Sequence, residues 1–100
     1  MITQTQAIKL IKEHYKFLSS EYGVIKIGIF GSTARNENSQ NSDVDLIVEL
    51  KNPNGFKFLR MVDYLENLLG TKVDVVTKSG LDNIRIKRIA DEIKRNIVYV

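Results

Sequence analysis

Two aspartates separated by one residue, Asp43 and Asp45, are the first feature of this sequence that could do chemistry. If they lie on a strand, their side chains share a face, with alpha carbons about 6.6 Å apart. Val44, Leu46 and Val48 then face the opposite way, into the core. Neighbouring ionised carboxylates repel each other unless a cation lies between them. Hard oxygen ligands suit Mg²⁺, and metal ions about 3.5–4 Å apart can clamp the oxygens of a phosphoryl displacement. An exposed polar strand face is the alternative, because Asp-x-Asp alone is common.

Gly31 and Ser32 stand upstream of these aspartates, directly after an apolar segment and before an expected helical turn. Free backbone N–H groups and the helix dipole favour anions at such a place. Glycine allows close backbone approach to a phosphate, and the serine hydroxyl adds a donor. Alone, the pair would be read as an ordinary turn. Arg35 either contacts the phosphates of a donor nucleotide or braces the loop by pairing with a local acid.

A third carboxylate, Asp74, interrupts a run of valines from 73 to 76. Strand alternation places Asp74 on the face opposite Val73 and Val75. If this strand pairs beside the strand of Asp43 and Asp45, the three carboxylates meet on one sheet face. Asp74 would then share the metal and could act as general base toward an acceptor hydroxyl. Its alternative is structural, as a partner of Lys72 or of a nearby backbone group.

The pattern of apolar and turn-forming residues predicts helices alternating with strands. A capped apolar stripe from Ile8 to Tyr22 predicts a first helix that ends at Gly23. The following predictions are strands over 24–30, 43–50 and 72–77, a turn or short helix over 31–35, a polar loop over 36–42, a helix ending at Gly70, another helix after Ser79-Gly80 with Ile86, Ile89, Ala90 and Ile93 inward, and a short strand over 97–100.

Length and composition predict one domain over residues 1–100. Cysteine is absent and His14 is the one histidine, which excludes disulfides and thiolate sites and argues against zinc catalysis and a Ser-His-Asp triad. No apolar run approaches the roughly 20 residues of a membrane span, and no signal-peptide pattern is present. We therefore expect a cytoplasmic protein without membrane contact.

The net charge of +3 is concentrated between Lys78 and Arg95, a stretch that contains six basic and three acidic residues. This stretch is either a solvated helix face or a surface that attracts a triphosphate, RNA or an acidic partner. No recognition motif or aromatic platform accompanies it. We do not expect direct binding of nucleic acid.

The motif formed by Gly31-Ser32, ten intervening residues and Asp43-Val44-Asp45 resembles the signature of the DNA polymerase beta-type nucleotidyltransferase superfamily. Within it, the segments 31–35 and 42–46 resemble the small MNT-domain proteins, the antitoxins of HEPN/MNT toxin–antitoxin pairs. The similarity continues through 69–77 to the segment 97–100. One departure is Asn36, where the family often has glycine. Asparagine tolerates left-handed backbone, so the turn survives.

This resemblance implies an α/β (α+β) fold, the palm-like nucleotidyltransferase core with a mixed three- to four-stranded sheet and helices packed on it. Asp43 and Asp45 would bind two Mg²⁺ ions, with Asp74 as the third acidic residue of the site. Gly31 and Ser32 would hold the triphosphate of ATP.

The implied reaction is transfer of AMP to a tyrosine hydroxyl of a cognate HEPN ribonuclease toxin, which silences the toxin. Two alternatives stay open. The chain could be an antitoxin that acts by binding alone, or it could transfer the nucleotide to a small-molecule hydroxyl.

Overall fold

The computed structural model describes residues 2–31, 43–52, 55–83, 91, 93–94 and 96–100. Its chain begins with two helices, α1 (Gln4–Glu13) and α2 (Tyr15–Tyr22), where the sequence predicted one. The helix is interrupted at His14, whose backbone leaves helical values (φ −108°, ψ 8°) and whose Nδ1 lies 2.8 Å from the Leu10 carbonyl oxygen. The predicted stop is confirmed, because Gly23 ends α2 in a left-handed conformation.

Four strands form one mixed sheet within the described residues: β1 (Val24–Phe30), β2 (Val44–Leu50), β3 (Val73–Thr77) and β4 (Val98–Tyr99). Their order is β3-β2-β1-β4, with β1 antiparallel to both β2 and β4. Strand β3 runs parallel to β2, and the helix α3 (Gly55–Leu69) makes the crossover between them. The predicted mixed α+β architecture is therefore confirmed.

One face of the sheet carries the main core beneath α1, α2 and α3. On β2, Val44, Leu46 and Val48 are at most 1% exposed, as their alternation with polar residues predicts. They pack against buried side chains of the helices, among which Leu18 and Leu65 are fully buried. Because this face is apolar, the intervening residues of β2, including Asp45, point to the opposite face.

The opposite face has a smaller core in which Ile47 packs with Leu81 of α4 (Lys78–Asp82). This short helix was not predicted, and Thr77 is its cap, with Thr77 Oγ1 accepting a hydrogen bond from Gly80 N at 2.9 Å. The helix predicted after Ser79-Gly80 lies mostly outside the described residues and stays a prediction. Of the inward residues predicted beyond it, Ile93 is partly buried in this second core, whereas Ile86, Ile89 and Ala90 lie outside the described residues.

Glycine is required at Gly28 in the middle of β1, where side chains at the neighbouring strand β4 lie close to the backbone. A β-carbon added there would lie 2.7 Å from Ile97 Cγ2 and 3.1 Å from Tyr99 Cδ1. Gly28 therefore lets β4 pair with β1 and lets the second core close. No helix in the described part of the chain is long and apolar enough to cross a membrane.

Candidate active site

Asp45 and Asp74 are brought together by the parallel pairing of β2 with β3. They are direct register partners, Asp45 with Asp74, between the pairs Val44 with Val73 and Leu46 with Val75. Adjacent strands are about 4.8 Å apart, and register partners in a parallel ladder project on the same face. The two carboxylates therefore lie side by side on the sheet face away from the main core.

Asp43 precedes the first residue of β2 and is exposed to solvent. The next residue anchors it, because Val44 N donates to the Lys72 carbonyl oxygen at 3.1 Å. Asp43 is thus held at the mouth of the β2–β3 pair, two residues ahead of Asp45. The backbone thus places Asp43 at the same end of β2 as Asp45, but the pairing of strands brings only Asp45 and Asp74 directly side by side.

The Asp74 carboxylate is exposed and has no structural partner among the residues that the structure describes. Lys72, the candidate partner two residues away, makes no ion pair with it, and no hydrogen bond to this carboxylate is found there. The structural explanation of Asp74 therefore finds no support. A carboxylate that lies beside another carboxylate favours a cation between the two.

The backbone of Gly31 lies against the Asp45 side chain. It follows β1, whose last residue, Phe30, pairs with Asp45, and it has a left-handed φ of 69°. A β-carbon at residue 31 would overlap the Asp45 carboxylate and lie 3.0 Å from its Cγ. The glycine thus makes room for the carboxyl group. Sequence reasoning missed this contact and assigned Gly31 to phosphate alone, because the register of β1 against β2 is not visible in the motif.

The other two predicted nucleotide-binding residues, Ser32 and Arg35, lie outside the described residues. Their contacts with the triphosphate therefore stay predictions. The same holds for the predicted loop over 36–42 and, apart from Gly31, for the predicted turn over 31–35.

The donor atoms at this site fit a divalent cation whose coordination shell is completed by the substrate. Among the described residues, no group of three or more histidine, cysteine, aspartate or glutamate side chains is placed to hold a metal by itself. Mg²⁺ does not need such a cage, since it is commonly held by one or two carboxylates together with waters and substrate phosphates. Asp45 and Asp74 could supply these carboxylate ligands, in the space that Gly31 leaves.

Comparison with known proteins extends the likeness over almost the whole chain. Residues 11–100 match the family model described as a nucleotidyltransferase domain. The protein adenylyltransferase MntA of Thermococcus cleftensis is 40% identical over 101 residues, covering 100% of this chain and 98% of that protein. A candidate protein adenylyltransferase of Methanocaldococcus jannaschii is 41% identical over 101 residues, covering 100% of both chains.

Solved structures carry the same fold. A candidate minimal nucleotidyltransferase superposes with a TM-score of 0.74 at 26% identity, covering 97% of this chain and 95% of that one. A toxin–antitoxin crystal structure with AMP-PNP superposes with a TM-score of 0.64 at 18% identity, covering 98% of this chain and 72% of that one. The resemblance found in the sequence is confirmed, and the chain belongs to the nucleotidyltransferase-domain family.

Proposed function

We propose that this chain is an antitoxin that transfers AMP from ATP to a tyrosine hydroxyl of a helical HEPN-type ribonuclease partner. The observation that carries the proposal is the pairing of Asp45 with Asp74 beside Gly31, in a member of the nucleotidyltransferase family. Further support comes from relatives named protein adenylyltransferases, which match this chain over its full length.

The proposed reaction is an in-line displacement at the α-phosphorus of ATP. The tyrosine oxygen forms a new bond to this phosphorus, and the bond from the phosphorus to the oxygen that bridges to the β-phosphate breaks. Pyrophosphate leaves with that bonding pair, and the phenolic proton passes to the Asp74 carboxylate and then to solvent. The AMP-tyrosine, the pyrophosphate and the released proton together account for every atom of ATP and tyrosine.

Each site residue has a distinct role in this proposal. Asp43 and Asp45 would hold two Mg²⁺ ions, and Asp74 would share in holding them. When bound, the ions would neutralise charge on the triphosphate and on the departing pyrophosphate. Gly31 keeps the Asp45 carboxylate in place, while Ser32 and Arg35 bind the phosphates.

The exposure of the site favours a protein acceptor over a small molecule. Asp43 and Asp74 are both exposed at the surface, so a side chain of another protein can reach them directly. A small acceptor is usually held in a concave pocket that buries most of its surface. An open acidic site instead lets the partner present the tyrosine and cover the reaction.

The test uses this chain, Mg²⁺, ATP and a HEPN-type partner protein, which is to be sought in the neighbouring gene. Label from the α-phosphate of ATP should appear on the partner, and label from the γ-phosphate should not, because pyrophosphate leaves. Replacing Asp43 and Asp45 by asparagine should abolish labelling. Asp63→Asn is the matched control, since Asp63 is an exposed aspartate on α3 outside the site, and it should label normally.

Two outcomes would contradict the proposal. Persistent labelling by the double variant, with its melting temperature unchanged, would overturn the role of the aspartates. A double variant that no longer labels but still neutralises the toxin completely would instead favour an antitoxin that acts by binding alone.

A further inference from the structure

A basic depression of about 490 Å³ lies at the end of the molecule opposite the acidic site. It opens between α2, the residues that follow β2, and the first turn of α3. Three lysines, Lys16, Lys51 and Lys57, line it together with hydroxyl, amide and aromatic side chains. The other lining residues are Tyr15, Ser19, Ser20, Tyr22, Gly23 and Asn52.

The described lining of this depression is basic. No aspartate or glutamate is among its described lining residues. Like charges in one concavity repel each other, and an anion that binds there relieves this repulsion. Lysine ammonium groups serve as point charges with three donors each, which suits carboxylates and phosphates.

The framework of the depression is rigid, because secondary structure holds the lysines in place. Lys51 N donates to the Gly23 carbonyl oxygen at 2.9 Å, which ties the end of β2 to the end of α2. Lys16 and Lys57 extend from helices that pack on the same core. The packed fold therefore sets the backbone positions of all three lysines around one depression.

Exposed apolar residues lie close in sequence to the residues that line the depression. Among the described residues five large hydrophobic side chains are exposed, and four of them are within two positions of a lining residue: Phe17, Ile25, Phe56 and Leu59. Phe17 and Phe56 neighbour Lys16 and Lys57 in sequence, and Leu59 is one turn after Phe56. The Ile25 carbonyl oxygen accepts a hydrogen bond from Tyr15, which lines the depression.

One of these apolar side chains, Phe17, is held in a fixed position by other rings. Its ring centroid lies 4.9 Å from that of Tyr64 and 5.9 Å from that of Tyr22. Aromatic anchors that are ordered before binding lose little side-chain entropy when a partner covers them. Apolar anchors next to charged groups are the usual make-up of a protein-binding surface.

This surface is separate from the reaction centre. Lys51 follows the last residue of β2, whereas Asp45 is its second residue. At the usual rise per residue, the six intervening steps come to roughly 20 Å. The triphosphate of an ATP molecule bound at Asp45 cannot reach these lysines, so the depression needs a different anion.

We propose that this depression docks an acidic segment of the partner protein, with carboxylates on Lys16, Lys51 and Lys57 and apolar side chains on Phe17, Phe56 and Leu59. The inference rests on the proposed function for the identity of the partner. Aliphatic side chains such as Leu59 and Ile25 suit a protein segment better than RNA, which stacks its bases on aromatic or guanidinium planes. Binding and chemistry are then carried by opposite ends of one small domain.

The test compares two triple variants in binding to the helical partner protein. Lys16→Gln, Lys51→Gln and Lys57→Gln together should weaken binding about tenfold, since exposed ion pairs are individually weak but additive. Lys9→Gln, Lys12→Gln and Lys26→Gln remove the same charge from exposed positions outside the depression and should leave the Kd unchanged. The weakening should disappear at high salt, where the wild type loses the same contribution.

Kinetics separate docking from catalysis. The depression variant should raise the KM for the partner and keep kcat at saturating partner, whereas Asp45→Asn should abolish labelling and keep the Kd. Phe56→Ser should also raise the KM for the partner, with the melting temperature as a check on folding. Because binding is measured directly, a wild-type chain that binds without labelling would refute the proposed reaction and leave the docking site standing.

Two results would overturn the docking proposal. One is an unchanged Kd for the partner in the depression variant. The other is a depression variant that loses affinity for a labelled single-stranded RNA oligonucleotide while its Kd for the partner stays the same. The second result would assign the lysines to RNA.

Discussion

A β-carbon on Gly31 would occupy the space that the Asp45 carboxylate fills. The contact follows from the antiparallel pairing of β1 with β2, which sets Phe30 opposite Asp45 and leaves the next residue beside its side chain. A glycine usually associated with a phosphate-binding turn thus also determines where a carboxylate stands. This relationship can be tested with single substitutions.

Gly31→Ala should reduce labelling of the partner by at least about 100-fold, because a displaced carboxylate of this kind typically costs that much. Its free energy of unfolding should fall by about 1–2 kcal/mol from the left-handed backbone. Gly70→Ala is the matched control, since Gly70 has a φ of 70° with nothing within 4 Å of an added β-carbon. It should lose similar stability in urea unfolding and keep full activity. Equal activity losses in the two variants would remove the special role of Gly31.

Asp74→Asn should lower kcat by about 10²–10⁴-fold, the usual contribution of a general base. The loss should persist at saturating Mg²⁺, because the amide cannot take the phenolic proton. Single-turnover labelling across a Mg²⁺ series measures both effects. Recovery of the wild-type rate at high Mg²⁺ would restrict Asp74 to holding the metal.

Mg²⁺ and nucleotide should stabilise this chain together far more than either does alone. The described carboxylates do not form a complete metal cage, so tight metal binding requires phosphate oxygens. In thermal unfolding, a chelator alone should leave the melting temperature unchanged, and Mg²⁺ with a non-hydrolysable ATP analogue should raise it. A large loss of stability on chelation alone would reveal a structural metal instead.

Gly28→Ala should destabilise the fold by about 1–3 kcal/mol, as overpacking of a well-filled core does. Its β-carbon would collide with Ile97 and push β4 away from β1. Gly55→Ala, at an exposed position with nothing within 4 Å of an added β-carbon, should be neutral or slightly stabilising. Urea unfolding of both variants checks the difference, and equal midpoints would contradict the close approach of β4.

Alternation of apolar and polar residues was enough to predict which face of β2 is buried. Val44, Leu46 and Val48 are in the core, and the sheet is mixed as the family resemblance implied. The register that sets Asp45 opposite Asp74 could not be predicted, because a shift of β3 by two residues preserves every face. Only the three-dimensional pairing distinguishes those registers.

The predicted helix boundaries differ from the observed ones where a local hydrogen bond acts against the apolar pattern. The steps of three and four residues run through His14 without a sign of the break, which appears in its contact with the Leu10 carbonyl. Likewise Ser79-Gly80 suggests a turn, yet Thr77 caps a helix that contains both residues. Patterns of burial report packing and are insensitive to such single bonds.

The crossover through α3 also determines when, during synthesis, the acidic pair of the site can form. The partner of Asp45, Asp74, lies on β3, which the ribosome makes only after all of α3. A nascent chain in which β3 has not yet emerged therefore has only one residue of the acidic pair. The Asp45–Asp74 pair is therefore complete only once β3 has joined β2, and β4, which follows β3 in the chain, then pairs at the other side of β1.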